Sequence, residues 1–348
     1  MPDSSTPPRS GSGSGAGPRP RTGRGPGMHD VARAAGVSQK TVSRVVNGEP
    51  HVSDDVRVRV RQAIDALGYR PNTAARALIR GRYGRLGVVS VGVELYGPSA
   101  QLVALQRVAR SRGYGVASEA VADSVPDGQA EAIDSLLAQG VDGIVVLNPV
   151  GDGAPIREAG EVPVVSLALA REDGIASARA ATEHLLALGH HTVWHLPGPQ
   201  EWWSARDRLQ GWREALAAAG APEPPLPEAG DWTAASGYAA GIELARVQGL
   251  TAVFAANDDM AIGAMRAFAE AGLDVPGQVS VMGYDDIPLA AYVTPQLSTV
   301  KQDFPAVAER AVDLLLTRIE RHPDPPALAR IPVQLVLRES TVRPVARH

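Results

Sequence analysis

The sequence predicts an α/β protein with two doubly wound parallel-sheet subdomains, preceded by a small all-α helix-turn-helix headpiece (residues 28–71). Three observations predict this fold class. Short helical patterns separated by a glycine turn fill the headpiece, and valine-rich apolar runs then alternate with helical patterns from residue 83 onward. The longest apolar runs are far below the ~18 to 20 residues of a membrane helix. With 348 residues, of which 44% are hydrophobic, the chain can form two or three packed domains.

Charge is distributed unevenly along the chain. The formal total of −4 divides into +3 for residues 1–27, +5 for residues 28–82 and therefore −12 for the remaining residues. A basic N-terminal quarter on an acidic body indicates a polyanionic partner for the headpiece. The absence of cysteine excludes disulfide frameworks, thiolate zinc sites and cysteine nucleophiles.

The first 27 residues are mainly Pro, Gly, Ser, Thr and Arg, and we expect a disordered tail because such a segment cannot offset the entropy lost on ordering. The tail is either simply solvated or a weak, nonspecific aid to polyanion binding. It contains no apolar stretch typical of a secretory signal, so we expect a cytoplasmic protein. Met28 is an alternative start of the chain, because the helical pattern begins there.

The headpiece is predicted as three helices and is followed by a short fourth. The three span residues 30–35, 39–47 and 54–67. Ser38 and Ser53 are the expected N-caps of the second and third helices, and glycine ends the first and third. The fourth helical stretch, residues 72–80, follows Pro71 and is too short to be stable in isolation.

The first two helices and their glycine turn form a helix-turn-helix unit, whose second helix enters the DNA major groove. Polar side chains suited to base edges begin that helix, namely Gln39, Lys40 and Arg44. Short polar groups suited to phosphates accompany them, namely Thr41, Ser43 and Asn47. The alternative is a three-helix protein–protein module with a solvated basic face.

Alternating strands and helices are predicted beyond Tyr83. The expected strands are 86–93, 115–119, 143–147, 162–167, 192–196, 252–255, 279–283 and 331–337. The expected helices are 99–112, 127–139, 206–219, 234–246, 259–271 and 304–320. Two such series indicate two parallel sheets covered on both faces, with a ligand cleft at the carboxyl ends of the strands.

The sequence DVARAAGVSQKTVSRVVN at 30–47, with Val52-Ser53 and LGYRPN at 67–72, closely resembles the LacI/GalR family of bacterial transcription regulators. The strand and helix order extends the resemblance over essentially residues 28–343. It implies a helix-turn-helix DNA-binding domain at 28–71, a hinge helix at 72–82 and a periplasmic-binding-protein-like effector-binding and dimerisation domain at 83–343. That domain is expected to contain an N-subdomain (about 83–169 and 303–328) and a C-subdomain (about 170–302 and 329–343).

The resemblance also assigns DNA contacts. It implies base contacts by Gln39, Lys40 and Arg44, and phosphate or backbone contacts by Thr41, Ser43, Asn47, His51 and Asn72. Leu78 of the hinge helix matches the family's wedge, which inserts from the minor groove and kinks the operator. Without the resemblance, Leu78 is more simply an ordinary packing residue. Gly27 departs from the family's usual Ser or Thr cap, with a small effect because glycine is a tolerated cap.

The cleft of the acidic body is predicted to bind a sugar, which needs carboxylates, amides, an arginine and a flat aromatic ring. Two polar pairs, each with at least one carboxylate, follow predicted strands, namely Asn257-Asp258 and Asp285-Asp286, although Asp258 and Asp286 could instead cap the next helix. All five tryptophans fall within residues 194–232. Trp194 and Trp212 are expected to pack in a core, whereas Trp202, Trp203 and Trp232 lie in predicted loops and are ligand candidates.

Within the family, the similarity is to sugar-responsive repressors. It rests on segments 204–212, 230–232, 256–258, 283–286 and 300–304, and on a pocket loop at 95–99. It implies ligand contacts by Leu95, Pro98, Arg206, Trp232, Asn257, Asp285, Gln302 and Phe304. Leu147 or Asn148 stands where the pattern has asparagine, and Ala168 where it has aspartate. The expected ligand is therefore a small sugar, β-galactoside-like by default.

These patterns together predict a repressor that a sugar releases from an inverted-repeat operator in double-stranded DNA. We expect a homodimer, because the chain ends shortly after the last predicted strand without a leucine-heptad helix. A corepressor-type regulator with another small ligand is the alternative, and a solute-binding protein or a sugar enzyme are further classes. We expect that the protein is not an enzyme and that it binds no cofactor, metal or membrane. No nucleophile elbow, phosphate loop or zinc-protease motif occurs, and the histidines at 190, 191 and 195 border a helix end and a strand.

Overall fold

The computed structural model describes residues 26–70, 81–121, 128–147, 150, 159–166, 171–321 and 330–345. The chain divides into two compact units between Gly81 and Arg82. Residues 1–25 of the predicted tail and residues 72–80 of the predicted hinge helix (72–82) lie outside the described residues. None of the described helices has the length and apolar character needed to cross a membrane.

In residues 26–70, the described part of the first unit, three helices surround a small apolar core. They are α1 (Met28–Ala35), α2 (Gln39–Val46) and α3 (Asp54–Leu67). The Ser38 hydroxyl accepts from the Thr41 amide at 3.1 Å and caps α2. Ser53 occupies the N-cap position of α3, but its side chain makes no capping hydrogen bond, which corrects the prediction. Its backbone is extended, as a cap requires, so the carbonyl still begins the helix while the hydroxyl stays exposed.

The second unit begins with a four-stranded parallel sheet, the first lobe. Its elements are β1 (Arg85–Val91), α4 (Tyr96–Ser111), β2 (Gly115–Val121), α5 (Gly128–Gln139), β3 (Gly143–Leu147) and β4 (Val164–Ser166). The strand order is β2-β1-β3-β4, and β1 pairs with β3 in register from Leu86–Gly143 to Ser90–Leu147. Alternate residues of β3 enter different cores: Val145 packs towards α4, whereas Ile144 packs towards α5. Both faces of the sheet are therefore covered.

The second lobe has a five-stranded sheet in the order β5-β6-β7-β8-β9. Its elements are α6 (Arg171–Ala187), β5 (Trp194–Leu196), α7 (Trp203–Ala219), α8 (Ala234–Leu244), β6 (Ala252–Ala255), α9 (Asp258–Glu270), β7 (Ser280–Asp285), β8 (Ser298–Lys301) and β9 (Gln334–Val336), with a 3₁₀ turn at Pro288–Ala291. Strands β5 to β8 are parallel, whereas the edge strand β9 runs antiparallel to β8. The predicted parallel sheets are therefore confirmed, and the antiparallel edge strand β9 is a feature that the sequence did not indicate.

One helix that follows the second lobe in sequence belongs to the first lobe in space. Helix α10 (Phe304–Ile319) packs against α4, β3 and β4, and its Val312 and Leu315 share a core with Leu86 of β1. The chain then returns to add β9 to the second sheet. The polypeptide therefore passes between the two lobes three times.

Two elements of the second lobe are not predicted from the sequence. Helix α6 buries Ala178, Ala181, Thr182 and Leu185, so most of its inner face is small and gives no large apolar stripe. Small residues are required there, because a Cβ on Gly211 of α7 would lie 2.2 Å from the Ile175 carbonyl oxygen of α6. Strand β8, with the sequence STVK, is fully buried except for its last residue and lacks an apolar run.

Candidate functional site

The headpiece presents a polar face at the start of α2. Gln39 and Lys40 are exposed, and Thr41 hydrogen-bonds through its hydroxyl to Ser38 at 2.9 Å. Val42 and Val45 point into the headpiece core. The apolar positions thus fix which side of α2 packs inward, and Gln39 and Lys40, two of the three residues predicted to contact bases, remain on the outer side.

Arg44 is also on this surface, but it has a protein partner. Its Nε lies 3.7 Å from an Oε of Glu49, and both side chains are more than 40% exposed. Asn47 donates to the Ser43 hydroxyl at 3.3 Å. Of the other predicted DNA contacts, His51 is exposed with a positive φ of 74°. Asn72 and Leu78 lie outside the described residues.

The loop after α2 is held by Arg57 of α3. This guanidinium donates to the carbonyl oxygens of Glu49 at 2.5 Å and Val52 at 3.2 Å. A loop carrying His51 in the left-handed region needs such support, because a non-glycine residue is disfavoured there. Arg57 therefore holds the loop backbone at Glu49, whose side chain lies near Arg44.

A cavity between the two lobes lies at the carboxyl ends of the strands. Its lining residues are Leu95, Tyr96, Gly97, Pro98, Gln101, Trp202, Ser204, Arg208, Trp232, Asn257, Asp285 and Gln302. Together they surround about 450 Å³ of space, open solvent included. We call it the effector cavity. Six of the eight predicted ligand residues lie in its wall.

The predicted pocket loop at 95–99 is the first turn of a helix. Leu95 is the N-cap of α4, and Pro98 lies in that first turn, where its missing amide hydrogen removes no helical bond. Gln101 lies one turn further and joins the same wall. The first lobe thus contributes the start of α4 to the cavity wall.

Asp285 is the central acid of the effector cavity. Its Oδ1 accepts from Gln302 Nε2 at 2.6 Å and lies 3.5 Å from Arg208 Nη2. Burial raises the pKa of Asp285 to about 6, while Arg208 and the Gln302 hydrogen bond act in the opposite direction. Its φ of 119° places it in a backbone region that non-glycine residues rarely adopt, so the turn after β7 is strained.

The arginine in this cavity is Arg208, and the prediction of Arg206 is wrong on this point. Arg208 also donates to the Ala256 carbonyl and lies over the rings of Tyr284 at 3.9 Å and Trp232 at 5.1 Å. Arg206 lies instead over Trp203, at 6.0 Å from the ring centre. Both belong to α7, where two residues span about 200° around the axis and so face opposite sides.

Trp232 forms the aromatic wall together with Trp202. The two rings meet edge to face at 5.8 Å, and both side chains are buried. Asn257 fixes this wall, because its amide donates to the Trp232 carbonyl at 2.9 Å while its Oδ1 accepts from the Met260 amide and caps α9. Asn257 thus positions the aromatic wall as well as lining the cavity.

Asp258 and Asp286, the other two acids that follow predicted strands, are bound by protein groups. Asp258 is fully buried and accepts from the Ile287 amide at 2.9 Å and from Thr299 Oγ1 at 2.5 Å. Burial, with repulsion from Asp285, raises the pKa of Asp258 well above its usual range. Asp286 accepts from Arg338 at 2.6 Å. Neither appears in the lining of the effector cavity.

Phe304 lies behind the cavity wall. Its ring meets Tyr96 edge to face at 6.1 Å, and it is part of the first lobe's core. Leu147 is likewise buried in that core, whereas Asn148 and Ala168 lie outside the described residues. Phe304 is not in the lining of the cavity and packs on Tyr96, which is, so direct ligand contact by Phe304 stays a prediction. Burial raises the pKa of the Tyr96 phenol, as do the nearby acids Asp285, Asp286 and Asp258.

Two of the three clustered histidines have defined protein partners. His195 stacks between Trp212 at 5.5 Å and Phe254 at 5.0 Å, and its Nδ1 bonds to the Phe254 carbonyl. Burial lowers the pKa of His195 to about 3, so the ring is neutral. His190 bridges the Thr251 hydroxyl and the Val342 carbonyl. Among the described residues, no group of three or more potential metal ligands occurs.

Two known protein families match parts of this chain. A periplasmic binding protein-like domain matches residues 182–341, and the family of bacterial regulatory proteins named after lacI matches residues 27–72. The lactose operon repressor of Escherichia coli K12 is 36% identical over 333 residues, which covers 91% of each chain. The chain belongs to the LacI family.

Other members of the LacI family give the same result. The regulator CelR of Thermobifida fusca is 35% identical over 91% of this chain and 98% of its own. Among solved structures, the lac repressor dimer bound to operator and the anti-inducer ONPF matches with a TM-score of 0.78 and 34% identity, over 92% of this chain and 100% of that one. The CelR–cellobiose complex matches with a TM-score of 0.64 and 30% identity, over 90% and 99%. This LacI-family protein is therefore a DNA-binding transcriptional regulator, and the similar proteins are regulators rather than enzymes.

Proposed function

We propose that the protein is a homodimeric repressor that binds an inverted-repeat operator and is released from it by a small neutral sugar. The effector cavity carries this proposal. Arg208, Asp285 and Gln302 offer donors and acceptors for hydroxyl groups beside the aromatic wall of Trp202 and Trp232. An aromatic face beside such polar groups suits the apolar and hydroxylated faces of a pyranose ring.

The aromatic wall also has unsatisfied donors. The indole nitrogens of Trp202 and Trp232 are buried and make no hydrogen bond to the described residues. A buried donor without an acceptor is unfavourable by roughly 1–3 kcal/mol. A bound hydroxylated ligand, with small shifts of the rings, would supply acceptors at this wall.

The names of the relatives support a sugar without defining which one. One similar protein represses the lactose operon, and another has been solved with cellobiose. We propose the broad class of β-glycosides, with β-galactosides as the first compounds to test. Both lobes line the cavity, so a bound sugar would change their arrangement. The predicted hinge helix at 72–82, with Leu78 as its wedge, would then lose its ordered state.

The DNA side of the proposal uses the exposed start of α2. Gln39, Lys40 and Arg44 would contact bases, and Thr41, Ser43, Asn47, His51 and Asn72 would contact the backbone. A dimer would present two headpieces to the two half-sites of an inverted repeat. The solved dimers of the lac repressor support this assembly.

A titration of protein on DNA tests the proposal. An operator is first selected from a randomised duplex library with the full-length chain, and its fluorescence anisotropy is then followed during addition of each sugar. We expect a β-galactoside or another β-glycoside to lower operator affinity at least tenfold, in the range of ordinary allosteric coupling of about 1–3 kcal/mol. Tighter operator binding would identify a corepressor instead. Unchanged affinity with every sugar that binds the protein would contradict the inducer proposal.

A further inference from the structure

A second cavity adjoins the effector cavity. The two share Gln101, Ser204, Arg208 and Gln302 in their linings. The second cavity encloses about 840 Å³, open solvent included. It lies beyond the Arg208 guanidinium, since Tyr284 lines it on one side of that group while Trp232 lines only the effector cavity. The two cavities therefore meet at these four side chains, which places the second cavity next to a ligand bound in the first.

The second cavity combines an indole with hydroxyl-binding groups. Trp203 lines it and is only half-buried, while Arg171 and Arg206 lie 5.8 and 6.0 Å from the centre of its ring. Ser177 and Lys301 add further polar groups to the lining. This is again the composition of a sugar subsite, with an aromatic ring beside hydrogen-bonding side chains.

Charge in the second cavity is balanced. Among its described lining residues the cations are Arg171, Arg208 and Lys301, and the carboxylates are Asp173, Asp207 and Asp303. Arg171 pairs with Asp207 at 2.8 Å, and Asp173 pairs with Arg310 at 2.7 Å. A phosphate group needs a surplus of positive donors, which this lining does not offer. The balance favours an uncharged ligand.

The junction of the two cavities carries a vacant acceptor. Gln101 Oε1 is buried and has no hydrogen-bond partner among the described residues. Gln302 on the opposite lobe is already oriented by its hydrogen bond to Asp285. A hydroxyl group beside the glycosidic linkage would donate to Gln101 at this point.

We propose that the two cavities form one cleft with two subsites and that the effector is an unphosphorylated disaccharide. Its first ring binds between Asp285 and the Trp202–Trp232 wall, and its second ring binds beside Trp203. This inference rests on the proposed function, because it specifies the ligand of the same cleft. It differs from that proposal by requiring the second ring for full affinity.

Calorimetry with the full-length chain tests this inference. Methyl β-galactoside is compared with lactose, and methyl β-glucoside with cellobiose, so that each pair shares its first ring. We expect the disaccharide of the preferred pair to bind at least about tenfold more tightly, which corresponds to about 1.4 kcal/mol. Equal affinities within a pair would overturn the inference and leave the proposed function intact. Binding of no sugar at all would contradict the proposed function itself. A sugar phosphate that binds more tightly than its parent sugar would also overturn the inference.

Variants of the second subsite separate a ligand contact from a structural effect. Trp203→Ala should reduce the advantage of the disaccharide to about threefold or less while the affinity for the methyl glycoside stays unchanged. Ser177→Leu fills the second cavity from α6 and should give the same pattern without removing an aromatic ring. Glu201→Ala, exposed and outside the lining, is the matched control. Equal losses for both ligands in Trp203→Ala and Ser177→Leu would overturn the assignment.

Discussion

Arg208 and Asp285 form an ion pair in the interior of the protein. Nη2 of the arginine lies 3.5 Å from Oδ1 of the aspartate, and their side chains are 9% and 7% exposed. Buried charges are tolerated only when further partners replace the lost water. Here the Ala256 carbonyl, the Gln302 amide and the Tyr284 ring supply them. The pair is therefore a preformed polar centre in the wall of the effector cavity.

Replacing the arginine tests this centre. Arg208→Lys keeps the charge but loses the planar fork that reaches Ala256 and Asp285 together. We expect sugar affinity to fall at least about tenfold, in line with the roughly 1.5–3 kcal/mol of a charged hydrogen bond, when measured by calorimetry. Arg213→Lys is the matched control on the same helix, because Arg213 is exposed and pairs with Glu223 away from both cavities, and it should change affinity less than twofold. Equal losses in the two variants would contradict the placement of Arg208 at the ligand.

Sugar affinity should depend on pH through Asp285. The carboxylate accepts hydroxyl hydrogen bonds, and burial places its pKa at about 6. Binding that requires the ionised form is complete well above this value and is lost as the pH falls through it. Because roughly one tenth of the groups remain ionised one unit below the pKa, we expect about tenfold weaker binding at pH 5 than at pH 7. Asp285→Asn should bind weakly without this pH dependence, and an unchanged profile in that variant would assign the titration to another group.

Helices α8 and α9 depend on glycine where they cross. A Cβ on Gly263 would lie 2.0 Å from the Ala234 carbonyl oxygen. Glycine to alanine in a helix interior ordinarily stabilises by up to about 1 kcal/mol. Gly263→Ala should instead lower the free energy of unfolding by about 2 kcal/mol or more, because the helices must separate. Urea denaturation measures this change, and Ala269→Gly on the exposed side of α9 provides the comparison, with an expected loss of about 1 kcal/mol. Wild-type stability in Gly263→Ala would show that the crossing adapts easily.

Glu49 should weaken DNA binding. Its carboxylate lies 3.7 Å from Arg44 in the free headpiece, so a base contact by Arg44 must first break this pair. An exposed pair of this kind is worth about 0–1 kcal/mol. Glu49→Gln should therefore raise operator affinity about two- to fivefold in a gel-shift titration at low salt. Asp65→Asn, which removes the same charge elsewhere in the headpiece, is the control. An equal gain in both variants would indicate net charge rather than release of Arg44.

The sequence predicts the elements that bury large apolar side chains. Strand β3 is a continuous apolar run and is found with its predicted bounds at residues 143–147. Helix α6 escapes prediction because its close packing on Gly211 demands small residues, which erase the apolar stripe. The spacing of large apolar residues in the sequence predicts which face of a helix is buried. It does not predict that the backbone of a neighbouring helix packs close enough to require small residues there.

The sequence likewise predicts some residues of the candidate site and misses others. Asp285 and Asn257 are identified because they follow strands, where parallel sheets place ligands. Arg206 and Arg208 are both arginines of α7, so residue type does not show which of them faces the cavity. The orientation of α7 places Arg208 there. Gln101 is missed because its residue type carries no signal, although one helical turn from Pro98 in α4 would have placed it on the same face.

Helix α10 has a consequence for synthesis of the chain on the ribosome. The core of the first lobe joins Leu86 and Val88 to Phe304, Val312 and Leu315. The nascent first lobe therefore cannot complete its core until about 230 residues after β1 have been translated. The three-helix headpiece, whose core ends at Tyr69, can fold long before that. The second lobe waits for β9, which follows α10 closely in the chain, so both lobes are completed almost together.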